Sequence, residues 1–338
     1  MINDSGYIIK NVMDYTTNVQ RIIKKVYIGS QLVFNSPLGA LADRASFLNN
    51  NTKNIIDRGE KLLLTPTAYS NGALHSALPK NGSSDFTVLR NSIATYLDVN
   101  GILKVAQTNI PRIDWSTGEG VLLVENEATN IITHSEDIVG LNIKSGISED
   151  ASQFGIGFTK SVRFNNSLST IYGYSSVNFE LNKYYTYSVF ILTDSEAKPI
   201  ASNLSTDSNA NFLLNIGGSV SSEVDYFNIP NTNIWRVSRT IIFTSSPNNN
   251  FLGISKYKEQ TKPFRMIGWQ LEQSSKITSY IPTNASSITR LADNISVTPP
   301  QTTSEIKEYQ ADGLINTISA IPTYYRIPEG EYKKITMY

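Results

Sequence analysis

Few side chains in this sequence are arranged to do covalent chemistry. The two histidines, His75 and His134, lie far apart along the chain, in no spacing that brings two imidazoles to one metal ion or one imidazole to a nucleophile. Ser92 and Ser135 lack the glycine-flanked turn that exposes a hydrolase serine. Cysteine is absent, which removes disulfides, thiolate metal ligands and thiol nucleophiles together. The one carboxylate pair of interest is Glu125 and Glu127 in the run VLLVENE. In an extended strand they share a face at about 7 Å, a separation that glycoside hydrolysis can use. Glu125 is better suited to an ion pair with Arg112 or Arg90, and that reading is preferred. No cluster of Asp and Glu has calcium-loop spacing. The sequence therefore predicts no catalytic residue, no metal ion and no cofactor.

Aromatic residues carry more information. The chain holds 18 Tyr, 13 Phe and 3 Trp, and aromatic faces stack on sugar rings while the tyrosine hydroxyl hydrogen-bonds at small entropic cost. Trp235 and Trp269 stand at alternating apolar positions of strand-like runs and read as core. Tyr172, Tyr174 and Tyr226 lie among Gly, Ser or acidic neighbours, read as near-loop positions, and are the candidate carbohydrate-binding residues.

The elements that must position them are strands. Tyr187, Val189 and Ile191 alternate with Ser188 and Phe190, and Trp235, Val237, Arg239, Ile241 and Phe243 alternate with Arg236, Ser238, Thr240 and Ile242. Ser161 to Phe164, Phe212 to Ile216, Phe251 to Ser255 and Phe264 to Leu271 add further short strands between loops rich in Asn, Ser and Gly. Such a series predicts an all-β sandwich or jelly roll. Beyond Pro299-Pro300 a smaller β unit is expected, with strands Ile306 to Gln310, Leu314 to Ile321 and Tyr332 to Tyr338 and turns at Asp312-Gly313 and Pro328-Gly330. Three such strands need a surface to pack on, either the sandwich or a neighbouring subunit.

The N-terminal residues differ. Val12, Tyr15, Val19, Ile22 and Val26 recur at spacings of three and four, one stripe of a helix able to pair copies of the chain. The run VYIGSQLVF reads as a hairpin about Gly29-Ser30. Asp43 to Leu64 reads as a loosely helical connector. Lys+Arg and Asp+Glu both number 29, so the overall charge favours neither nucleic acid nor an anionic membrane. The opening MINDSGYIIKNVMDY has no basic segment followed by an apolar core, and no run of about 18 apolar residues follows, so neither a signal peptide nor membrane insertion is expected.

Two segments resemble a known family. From Arg90, Ser92, Ala94, Thr95 and Tyr96 the chain runs through Asp98, Asn100 and Gly101. It continues through Asn109, Pro111, Arg112 and Asp114, then Gly118, Gly120, Leu122, Leu123, Glu125, Thr129 and Asn130. This order is similar to a signature of head-fibre and tail-fibre proteins of tailed bacteriophages, particularly those of gut Bacteroidetes hosts. A closing segment matches the same family: Gly268, Gln270, Leu271, Glu272, Thr278, Ser279, Tyr280, Ile281, Pro282 and Thr283, then Thr289, Arg290, Ala292 and Asp293. The runs YTYSVFI and WRVS, with the closing IGWQLEQSSKITSYIPTN, resemble carbohydrate-binding modules with a concanavalin-A-like jelly roll.

The resemblance implies a virion structural protein, a head fibre or short tail appendage assembled in the host cytoplasm. Its implied partners are further copies of itself, as a trimer or other homo-oligomer, capsid or tail proteins, and host-surface glycan. The alternative is a tailspike-type polysaccharide-degrading enzyme. The expected organisation is a mainly β chain: residues 1–36 an anchor and oligomerisation segment, 37–85 a connector, 86–298 the jelly roll, and 299–338 the small C-terminal β unit.

Overall fold

The computed structural model describes residues 60–66, 69–70, 73–76, 86–136, 147–150, 158, 160–164, 170–174 and 177–338. The anchor stripe Val12, Tyr15, Val19, Ile22 and Val26 lies outside the described residues, as does most of the connector. Among the described residues the regular elements are all β-strands, so the mainly β class is met.

The strands gather into two compact units, and neither is a continuous stretch of chain. The first holds the described residues up to Arg90, with Asn109–Glu125 and Asp293–Tyr338. The second holds Asn91–Thr108 and Asn126–Ala292.

The second unit is an antiparallel sandwich. One sheet orders its strands Ile147–Asp150, Lys160–Phe164, Phe264–Glu272, Tyr184–Thr193, Trp235–Ile242 and Asp225–Asn228. The other orders Thr170–Tyr174, Leu252–Lys256, Leu213–Ile216 and Ser219–Ser221. The chain steps repeatedly from one sheet to the other, in the manner of the expected jelly roll. Tyr187, Val189, Val237, Trp269 and Leu271 of the first sheet share one buried core with Leu214, Ile216, Leu252 and Ile254 of the second. Gly217 and Gly218 close the tightest hairpin, at φ of 61° and 84°. Two successive residues with positive φ give the turn whose twist matches the flanking strands. A Cβ on Gly217 would stand 2.6 Å from the Phe243 ring.

The central strand Tyr184–Thr193 is buried on both faces, which explains why YYTYSVFILT is so nearly apolar throughout. Tyr185, Tyr187, Val189 and Ile191 enter the core between the sheets. Phe190, on the opposite face, enters a separate cluster with Leu97, Phe158, Ile229, Ile234, Ile267 and Tyr280. Leu97 comes from the hairpin Ala94–Leu97 and Leu103–Ala106, so this sheet carries a cover over part of its outer face. In the hairpin turn the Asp98 carboxylate accepts the Asn100 and Ile102 N–H groups, both at 2.9 Å. Gly101, at φ 75°, has no room for a side chain: a Cβ would stand 2.2 Å from the Pro230 carbonyl oxygen.

The first unit revises the expected C-terminal boundary. Strands Ile306–Gln310, Ile315–Ile318 and Gly330–Met337 form close to where the sequence places them, yet they are not an appendage. They make a six-stranded sheet with Val121–Val124, Arg112–Asp114 and Leu62–Leu64. Leu62, Leu64, Leu122, Val124, Ile295, Ile306, Ile335 and Met337 form its core. Residues 86–90, 109–125 and 293–298 thus belong with this unit, in place of the sandwich that 86–298 was expected to form. Leu62–Leu64, read as the end of a helical connector, is a buried strand paired with Ile335, Thr336 and Met337.

Trp269 is fully buried and its Nε1 donates to the His134 carbonyl at 2.8 Å. Trp235 departs from the expected core position: it is only partly buried, packed against the rim of the same core. Trp269→Ala should therefore destabilise the sandwich by about 3–5 kcal/mol, and Trp235→Ala by clearly less. Denaturant unfolding followed by near-ultraviolet circular dichroism measures both; equal losses would contradict the difference in burial.

Candidate functional site

The residues singled out by the family-like motifs prove to be internal ties. In the first unit Arg112 is wholly buried between two carboxylates, its Nη1 2.7 Å from Glu125 Oε2 and its Nη2 bonded to Asp293 Oδ2. Arg90, equally buried, reaches Asp293 Oδ1 at 2.6 Å. Backbone bonds lock the same residues: the Glu125 N–H donates to Asp293 Oδ2 at 3.0 Å, and the Asp293 N–H to the Glu125 carbonyl at 2.8 Å. Asn109 completes the set, its side-chain oxygen accepting the Arg90 N–H at 2.9 Å while its own N–H donates to the Arg90 carbonyl at 3.0 Å. Two guanidinium and two carboxylate charges cancel, which makes their burial tolerable. Burial alone would lower the Arg112 pKa, but Glu125 and Asp293 outweigh it and raise it.

The closing motif plays the same part in the sandwich. Gln270 accepts the Ile281 N–H at 2.6 Å, and Asn130 donates to the Ile281 carbonyl at 2.8 Å. Ser135 Oγ accepts both the Tyr280 hydroxyl at 2.7 Å and the Thr283 N–H at 2.8 Å. Thr95 Oγ1 donates to the Tyr280 carbonyl. Glu272 is buried, accepting from the Thr278 hydroxyl and, at 3.2 Å, the Thr278 N–H. Burial raises its pKa above the ordinary glutamate value, against the lowering effect of these bonds and of Arg236.

The candidate chemical groups are placed as follows. Glu125 lies in the ion-pair cluster with Arg112, as the sequence suggested, and Glu127 is exposed. Ser92 Oγ accepts the Leu291 N–H at 3.0 Å. His134 Nδ1 lies 3.0 Å from the Thr133 hydroxyl. Among the described residues no three His, Cys, Asp or Glu side chains converge as a metal site.

Of the three candidate tyrosines, Tyr172 and Tyr174 do not lie in loops. They belong to the strand Thr170–Tyr174, opposite Ile254 and Leu252. Gly173, which reads as a turn signal, stands opposite Gly253 within the ladder. Tyr226 is also on a strand, Asp225–Asn228, at the edge of the larger sheet.

Around Tyr226 the structure assembles a group that the sequence only half reveals. Trp235 meets it edge to face, with centroids 6.5 Å apart and planes at 82°. The exposed Lys198 places Nζ 4.1 Å from the Tyr226 centroid and 5.8 Å from that of Trp235. The Tyr226 hydroxyl accepts the Ala201 N–H at 2.9 Å, pinning the loop that carries Lys198. Burial raises the tyrosine pKa and the Ala201 bond partly offsets it. Ile200, next to the Ala201 that this hydroxyl holds, exposes 42% of its surface, while Phe227 turns to the opposite face of the strand. Two aromatic rings with an ammonium offer stacking for a sugar ring and a charged donor for its hydroxyl or carboxylate groups. Trp235 had been assigned to the core by its alternation, and Lys198 has no local signal at all.

No protein-family model and no curated protein sequence matches the chain. Among solved structures, it is similar to the C-terminal CBM6 of LamC, a marine laminarinase from Zobellia galactanivorans, at 16% identity and TM-score 0.26, over 44% of this chain and 100% of that one. It is also similar to the CBM22-1–GH10 modules of xylanase 10B from Clostridium thermocellum, complexed with xylohexaose, at 13% identity and TM-score 0.28, over 46% of this chain. The match spans 30% of that second chain. At such scores these likenesses add nothing to the architecture seen in the strands themselves.

Arg112→Met leaves Glu125 and Asp293 without their shared cation and should cost about 3–5 kcal/mol of stability in denaturant unfolding. A loss below about 1 kcal/mol would mean that the cluster is not the tie its geometry indicates. Glu272 gives a pH signature. Its raised pKa contributes stability fully present below the ordinary glutamate value of 4.5 and lost as pH rises through the raised value. Glu272→Gln removes this loss, so the stability difference between variant and parent should move in the variant's favour as pH rises from 4.5. A difference independent of pH would contradict the effect of burial.

Proposed function

We propose that the chain is a virion attachment protein of a tailed bacteriophage, a head fibre or short tail appendage whose sandwich binds host-surface glycan without cleaving it. The observation that carries this reading is the meeting of the two family-like segments. Arg90, Arg112 and Glu125 of the first and Asp293 of the second form one buried ion-pair cluster. The resemblance therefore falls on residues that physically depend on one another, which a chance match of scattered letters would not require.

The Tyr226, Trp235 and Lys198 group supplies the glycan contact. A shallow site of this kind binds in the micromolar to millimolar range, about 4 to 8 kcal/mol. Display of many copies on one particle then raises avidity by orders of magnitude. Glycoside hydrolysis would require two carboxylates across a sugar-sized cleft, and Glu125 is already committed to Arg112. The partners in this reading are capsid or tail proteins and further copies of the chain, and its location is the virion.

Titration with capsular polysaccharide of a susceptible host tests the site. Trp235 fluorescence should change on binding while that of buried Trp269 stays constant, and Tyr226→Ala should weaken binding about tenfold. Release of new reducing ends would replace adhesion with hydrolysis. Immuno-electron microscopy of purified particles tests the virion assignment separately; absence of label would overturn it.

A further inference from the structure

Among the described residues, the strand Ile315–Ile318 ends the six-stranded sheet of the first unit, with no strand paired on its far side. Residues 312–317 are all exposed, with Leu314 at 55% and Ile315 at 53%. No charged residue occurs between Asp312 and Arg326. Edge strands are normally protected by charge, proline or a covering segment. The opposite end of the same sheet, Arg112–Asp114, has such protection in its inward-pointing Arg112 and Asp114.

We infer that this edge is the surface through which two copies of the chain associate, by antiparallel pairing of Ile315–Ile318 with itself. This stands independently of the proposed function. The ladder fixes the geometry. Ile315 pairs with Tyr309, Asn316 with Glu308, Thr317 with Lys307 and Ile318 with Ile306. The Gln310 N–H donates to the Leu314 carbonyl at 2.9 Å. Inward and outward peptide groups alternate along an antiparallel strand, so Asn316 follows Leu314 in facing the sheet, while Ile315 and Thr317 turn their N–H and C=O groups outward.

A two-fold axis at Asn316 then sets Ile315 of one copy opposite Thr317 of the other, each pair able to exchange both bonds. The row Lys334, Tyr309, Ile315 would continue into Thr317 of the second copy. Self-pairing places no like charges together, because the segment has none. For the same reason it offers nothing to select a charged foreign strand. A second copy meets both conditions and brings the same exposed Leu314 and Ile315 to the junction.

Sedimentation velocity of the full chain over a concentration series tests this, with the wild type expected to dimerise. Thr317→Pro removes an outward N–H while leaving the inward ladder intact. It should weaken dimerisation at least about tenfold without changing circular dichroism or melting of the monomer. Ile315→Lys, which places like charges at the junction, should act in the same direction. Amide exchange at Ile315 and Thr317 should slow when the dimer is populated. A monomeric wild type would overturn the inference, as would an oligomer of unchanged affinity in both variants, including one held through the Val12–Val26 stripe.

Discussion

The buried pairing of Arg90 and Arg112 with Glu125 and Asp293 is the constraint on which the first unit depends. Arg90 and Glu125 are the residues at which the chain leaves that unit, and Asn109 and Asp293 those at which it returns. The cluster thus gathers all of these ends at one place. Hydrophobic burial alone would not do this, since apolar contact is proportional to area and indifferent to which segment supplies it. Charges taken out of water are selective: each guanidinium must find its carboxylates, or several kcal/mol are lost. The cluster therefore specifies the arrangement of four chain ends more than it adds to net stability.

The sandwich uses neutral groups to the same end. Gln270, Asn130 and Ser135 satisfy backbone groups of a segment with little ladder of its own, between Glu272 and Ile288, and Thr283 within it binds the Ile132 carbonyl in return. Buried peptide groups must be paired, and here side chains do what a neighbouring strand does elsewhere. This accounts for the many polar residues in the family-like motifs. They are needed where the chain is irregular and buried, and the group at Tyr226 and Lys198 lies outside the fibre-like motifs altogether.

The sequence made the strands legible wherever alternation was local. Phe264 to Leu271, Trp235 to Phe243, Ile306 to Gln310 and Tyr332 to Tyr338 appear within a residue or two of expectation, because a period of two needs only neighbours to be recognised, while the strand expected over Leu314 to Ile321 stops at Ile318. Thr170–Tyr174 was obscured by Gly173, a residue that usually signals a turn and here sits in a ladder opposite another glycine. The joining of the first unit from separate stretches of chain could not be read, although its C-terminal strands and its Arg112–Glu125 pair could. Its assignment depends on Leu62 meeting Met337 and Arg90 meeting Asp293, pairings with no trace in local pattern. Tyr226 was singled out for an acidic, near-loop setting and lies on an edge strand, whereas Trp235 was masked by alternation on a strand whose end emerges from the core.

The pairing of Leu62–Leu64 with the strand Gly330–Met337 also sets an order of events in time. Glu60 and Tyr338, joined by a hydrogen bond, are 278 positions apart. A chain emerging from the ribosome can close the sandwich as soon as Glu272 and the segment after it are free, because that unit needs nothing made later than Ala292. The first unit must wait, holding three buried-type leucines without a partner until its last strands are released. Ordering of this kind is slow because long loops are closed before the contacts that reward them. The inserted sandwich shortens the effective distance, since once folded it replaces a long flexible loop with one whose ends are held by a compact body.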